Sequence, residues 1–186
     1  MTIARKFIAF ILLLFCLPLL LVLAIFIRLE TKGNPIFTQI RIGRGGKEFR
    51  IYKLRTMTVT TVLNVVMSSH DLMLANAYRI TYLGKFLRKF HLDEIPQLWN
   101  ILRGEMVFIG PRPLLPVVIH SRYYAPRDNN EFPGLTSLWQ VSPFCYQEGY
   151  ISEKLDKFYI RKKCLILDTL ILFWTARLII KLIIKQ

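Results

Sequence analysis

Acidic residues are scarce: 12 Asp and Glu stand against 26 Lys and Arg, leaving a net charge of +14. Cysteine is scarcer still. Cys16, Cys145 and Cys164 are odd in number and far apart, which excludes a disulfide framework or a regular metal-ligand spacing and suits a reducing compartment. His70, His91 and His120 are scattered and show no ligand pattern. A pI near 10 raises nucleic acid as a partner. Yet zinc-finger spacing and RNP-like motifs are missing and the basic residues form no long run, so no nucleic acid is expected. Apolar side chains are what the sequence has in quantity, at 53%. Strong positive charge on so apolar a chain suits a protein lying on anionic lipid. A length of 186 residues fits one domain plus a membrane element.

Residues 7–27 carry no charged side chain. At about 1.5 Å per residue the stretch is long enough to cross a hydrocarbon core of about 30 Å. It is long for a signal-peptide core, and no small-x-small cleavage site follows it. Length favours a spanning helix, but charge does not. Arg5 and Lys6 precede the stretch, while Arg28 and Lys32 follow it, which places both ends on the cytoplasmic side. Pro18 offers a bend near the centre. The expectation is a re-entrant membrane helix over residues 1–32 and a membrane-surface domain over residues 33–186.

Residues 37–42 and 48–54 read as short strands, joined by the hairpin turn Gly43-Arg44-Gly45-Gly46. That loop lacks the GxxxxGK[ST] phosphate-binding pattern. Residues 79–90, 114–124 and 152–159 read as helices, and Pro133-Gly134 as a turn. In residues 164–186, Arg177, Lys181 and Lys185 recur four apart on one face of an apolar helix, the pattern of an interfacial helix; a second span is the rival. The fold class is therefore α+β, mostly helical, with a small hairpin and interfacial helices around a domain at the membrane surface.

The chemistry concentrates in residues 91–113, HLDEIPQLWNILRGEMVFIGPRP. Asp93 and Glu94 precede Pro96 and an apolar helical run. Proline belongs in a helix's first turn, which puts both carboxylates at its N-terminus, where the dipole would keep Asp93 ionised. Such a pair, with a divalent cation and Arg112, can handle a phosphoryl group. Equally, Asp93 can be a plain cap and the stiff segment holding Pro111 and Pro113 a rigid turn.

Residues 83–116, LGKFLRKFHLDEIPQLWNILRGEMVFIGPRPLLP, closely resemble the signature of the bacterial sugar transferases, small monotopic phosphoglycosyl transferases that act on polyprenyl phosphate. IFTQIRIGRGGKEFRIYKLRTM (residues 36–57) and PGLTSLWQV (residues 133–141) resemble two further blocks of that family, in the same order. The resemblance implies a mechanism. Asp93 attacks the β-phosphate of a nucleoside-diphosphate sugar, UMP leaves, and polyprenyl phosphate takes the sugar-phosphate from the carboxylate. Glu94, with Asp93 nearby, would hold Mg²⁺, and Lys53, Arg55, Arg88 and Arg112 fall in matching blocks as candidate phosphate contacts. The implied partners are a UDP-sugar, polyprenyl (undecaprenyl) phosphate and membrane lipid. The implied process is the first membrane step of polysaccharide or glycoprotein glycan synthesis, at the bacterial inner membrane with the domain on its cytoplasmic face.

The sequence departs from that pattern in places. Leu17 precedes Pro18 where the family commonly has Ser, and Ser137 replaces a Gly. Ser142-Pro143-Phe144 stands where the family has Gly-Arg after the Val, so no basic residue occupies that place. Residues 58–77 are less polar and acidic than is usual in the family. These departures motivate a rival reading, a catalytically impaired homologue acting as a membrane scaffold.

Overall fold

The computed structural model describes residues 2–58, 79–116, 130–143 and 150–184. The expectations for residues 59–77 and 117–124, and the position of Lys185, lie outside the described residues. The molecule is mostly helical with two small sheets. Helix α1 (Thr2–Glu30) runs through Pro18 without losing its helical assignment. It is long and apolar enough to cross a membrane. An antiparallel hairpin follows, β1 (Ile36–Ile42) against β2 (Glu48–Leu54). Its turn places Gly45 and Gly46 at φ of 66° and 73°, where a β-carbon is disfavoured. The loop is the hairpin connection between the two strands.

Helix α2 (Tyr82–Lys89) starts later than the sequence pattern suggests, because Arg79 and Ile80 are taken up in pairing with Thr58 and Met57. Thr81 caps it by accepting the N–H of Gly84 at 2.9 Å. A 3₁₀ turn (Leu92–Gln97) leads into α3 (Leu98–Arg103), which Gly104 closes at φ 80°. Strand β3 (Val107–Ile109) then pairs in parallel with β4 (Gly134–Thr136). Gly134 is thus extended strand rather than a turn, and Leu114 bridges to Ile42 instead of starting a helix. Helices α4 (Leu138–Val141), α5 (Tyr150–Lys162) and α6 (Leu165–Ile184) complete the chain.

Three apolar clusters hold these elements together. Ala9 of α1 packs with Phe49, Ile51, Leu98, Ile101 and Met106. Farther along the same helix, Leu23 and Ile27 pack with Leu54 and Leu87. Both ends of α1 therefore rest on one body of strands and helices. The third cluster joins Leu138, Tyr159 and Ile171. Tyr159 also donates to Asp168 at 2.7 Å and reaches the Ile109 carbonyl at 3.3 Å, tying α5, α6 and β3 together. Burial, then the Asp168 bond, pushes its phenol well above the ordinary range.

One polar side chain organises the centre. Asn100 is fully buried and donates to the Arg50 carbonyl and Glu105 Oε2, both at 2.7 Å, while its Oδ1 accepts from the Tyr52 N–H at 3.2 Å. Its amide is satisfied on both sides, so burial is tolerated and α3 is locked to β2 in one register.

Candidate active site

The Asp93–Glu94 pair lies in the 3₁₀ turn itself, ahead of α3, not in the first turn of an α-helix. His91 enters that turn at φ 55°, a left-handed conformation uncommon for a non-glycine residue. It is the turn's cap residue, while Gln97 caps α3, so Asp93 occupies neither cap position. The plain-cap alternative does not describe it. Asp93 is 8% exposed. Strand β2 brings Lys53 up beside the turn, and its Nζ meets Glu94 Oε1 at 2.5 Å.

Electrostatics at Asp93 are mixed, and the α-helix N-terminus expected to favour its ionised form begins only at Leu98. Burial, followed by the neighbouring Glu94 charge, raises it above the usual carboxylate value, against Lys53, His91 and Arg88, which lower it. The carboxyl is thus shielded from water and set among cations, which favours a reactive group over a solvated one.

Beside the pair opens a cleft of about 400 Å³, bordered by Arg88, Lys89, His91, Glu94, Arg112 and Trp139. Arg88, from α2, is steadied by donating Nε–H to Thr56 Oγ1 at 2.8 Å. The helix sits close enough to allow this because residue 84 is glycine: a β-carbon there would stand 2.1 Å from the Thr56 carbonyl oxygen. Arg112 lies over the Trp139 ring, 4.7 Å from its centroid. Pro111 and Pro113 are buried on either side of it. The Pro111 carbonyl accepts from Gly134 N–H at 2.9 Å, and that of Pro113 from Arg41 at 3.2 Å. Any side chain at Gly110 or Gly134 would collide with the other strand's backbone. The stiff segment is therefore a mount for Arg112.

Glu94, Arg88 and Arg112 thus border one cleft, with Lys53 paired to Glu94 and acting with Arg88 on the adjacent Asp93, but Arg55 is turned elsewhere. Its buried guanidinium donates to the carbonyls of Thr31 and Lys32 at 2.7 and 2.9 Å and to Thr31 Oγ1 at 2.6 Å. It binds the C-terminal end of α1, where a cation offsets unpaired carbonyls. Pro18 is exposed on α1, far along the chain from these groups. Two adjacent carboxylates fit Mg²⁺, which takes one or two protein carboxylates and fills its remaining positions with water and substrate phosphates. Among the described residues no larger cluster of metal-binding groups occurs.

The sequence reading passed over His91 and Gln140, which both border the cleft. Only the left-handed backbone of His91 and the short helix under Gln140 bring them there, and neither leaves a local sequence signal. Ser137, in place of Gly, caps α4 by accepting the Gln140 N–H at 3.2 Å. Pro143, the first of the two residues standing in place of the family's Gly-Arg, is exposed, and Phe144, the second, lies outside the described residues.

Comparison with known proteins identifies the family. The chain is 37% identical over 174 residues to the UDP-galactose-lipid carrier transferase of Erwinia amylovora, covering 87% of this chain and 36% of that protein. It is 36% identical to the undecaprenyl-phosphate galactose phosphotransferase of Salmonella typhimurium (80% and 34% covered). It is 35% identical to the UDP-glucose:undecaprenyl-phosphate glucose-1-phosphate transferase of Klebsiella pneumoniae (86% and 35% covered). The chain spans about a third of the length of these relatives. The bacterial sugar transferase family matches residues 2–182, and the chain belongs to that family.

Proposed function

We propose that this chain transfers a sugar-1-phosphate from a UDP-sugar to polyprenyl phosphate and releases UMP. The observation that carries the reading is the buried Asp93 next to Glu94, which pairs with Lys53 and lines a cleft together with Arg88 and Arg112. An Asp93 carboxylate oxygen attacks the β-phosphorus. The bond from that phosphorus to the oxygen bridging to the α-phosphate breaks, and UMP departs with the electron pair. An oxygen of polyprenyl phosphate then attacks the same phosphorus and expels the aspartate, giving the polyprenyl-diphosphate sugar. Arg88 and Arg112 offset charge on the transferring group, and Lys53 holds Glu94 in place beside the nucleophile. Mg²⁺, held by Glu94 near Asp93 with the substrate's phosphates, would supply further charge neutralisation.

Helices α1 and α6 expose large apolar side chains, among them Phe15 at 84% and Ile166 at 74%, a surface suited to lipid. Since both ends of α1 rest on the same body, the reading is a helix that enters and leaves the cytoplasmic side of the inner membrane. The cleft then meets a soluble donor from the cytosol and a lipid phosphate from the bilayer.

The test is UMP release by detergent-purified protein across a panel of UDP-sugars with polyprenyl phosphate and Mg²⁺. Release from one donor that falls at least about a thousandfold in Asp93→Ala supports the reaction and its nucleophile. Release persisting in the variant overturns the Asp93 role. No release from any donor by folded protein favours the impaired scaffold suggested by the missing Gly-Arg.

A further inference from the structure

A second cavity, of about 320 Å³, lies between α1 and α6. Leu12 and Cys16 line it from α1, Leu172 and Ile179 from α6, and Phe108 and Leu135 from the small parallel sheet. It is apolar along its length but ends at His91, Glu94 and Gln140, which also border the basic cleft. The two spaces meet at those side chains. Gln140 Oε1, an acceptor, is buried there and has no hydrogen-bonding partner among the described residues, so a donor arriving at the junction, such as the O–H of a singly protonated phosphate, has a place to bind. The walls are the two helices whose outer faces are apolar and exposed, so an acyl-like chain can enter sideways from the bilayer without crossing polar surface.

We propose that this groove seats the isoprene units nearest the phosphate of the lipid acceptor, with the phosphate delivered past Gln140 to Asp93. The assignment rests on the transfer reaction proposed above. A cavity of this size holds only the first few isoprene units. Acceptor chain length therefore matters only while the groove is filling, and the remainder of the chain stays in the membrane.

The experiment has two arms on the full chain. A polyprenyl phosphate carrying a diazirine on its second isoprene is photolysed with the protein in nanodiscs, and the attached peptides are mapped. Attachment to residues 12–16 and 172–179, suppressed by undecaprenyl phosphate, is expected; attachment elsewhere, or suppression by phosphatidylglycerol alone, overturns the assignment. In the second arm, Leu172→Trp and Ile179→Trp raise the KM for acceptor at least tenfold with kcat within about threefold. Phe173→Trp, on the exposed outer face of α6, leaves both unchanged. UMP release at an unaltered acceptor KM in both groove variants overturns the groove. Absence of UMP release from the unmodified protein overturns the transfer reaction, and the photolabelling then reports on the lipid site alone.

Discussion

At the scale of single residues, the charges around Asp93 govern how the chain responds to acid. A nucleophilic carboxylate must be ionised, and burial and Glu94 already push Asp93 upward. Removing the Lys53 charge takes away a cation that lowers it, so Lys53→Met moves the acid limb of the pH–rate profile to higher pH. Glu94→Gln removes a like charge and moves the limb to lower pH. Limbs that stay put in both variants would show that another group titrates. The same burial carries a stability cost. Because the folded carboxyl binds its proton more tightly than the unfolded one, its contribution is fully present below the usual value of 3.8 and is lost as pH rises through the raised value. Asp93→Asn is therefore more heat-stable than the native protein in detergent at neutral pH, and the gap closes on acidification. The acidic pair was legible in the sequence; its burial was not. Two adjacent carboxylates before a proline look alike whether they face water or a packed core, and only the fold supplies Lys53 from a distant segment and turns Arg88 toward the pair.

At the scale of elements, the hairpin and the main helices were readable from periodicity and turn glycines, because local preference and tertiary environment agree there. Strand β3 was not, since three residues are too few to show alternation and a parallel partner lies far along the chain. Arg55 shows the limit of residue type as evidence. Its place in a block resembling that of the family suggested phosphate, but the structure spends its donors on the carbonyls ending α1. Arg55→Met should accordingly lower stability by about 1.5–3 kcal/mol while leaving the donor KM within about twofold. A large rise in donor KM with unchanged melting would show a phosphate contact instead. Asn100→Ala, by leaving the Arg50 carbonyl and Tyr52 N–H without their partner, should cost about 2–4 kcal/mol in denaturant or thermal unfolding.

For the whole molecule, the decisive arrangement is one long apolar helix touching one body at both ends. Such a helix cannot leave its ends on opposite sides of a bilayer without losing one of its two contact clusters. Single cysteines replacing Arg5 and Lys32 in a cysteine-free background should react with a membrane-impermeant maleimide from the same side of inverted vesicles. Labelling from opposite faces would establish a span. The sequence carried half of this argument, through flanking charges and Pro18. The other half, Ala9 against Met106 and Ile27 against Leu87, depends on contacts between segments far apart in the chain.

That arrangement also sets an order of events during synthesis. Ala9 leaves the ribosome long before Met106, its partner in the first apolar cluster. At about 5–20 residues per second the interval is roughly 5–20 s. Of that cluster only Phe49 and Ile51 arrive early, and Leu98, Ile101 and Met106 come last. The most apolar segment therefore spends most of the interval without its full set of neighbours, lipid can cover it meanwhile, and its final seating on the domain is a late step of maturation.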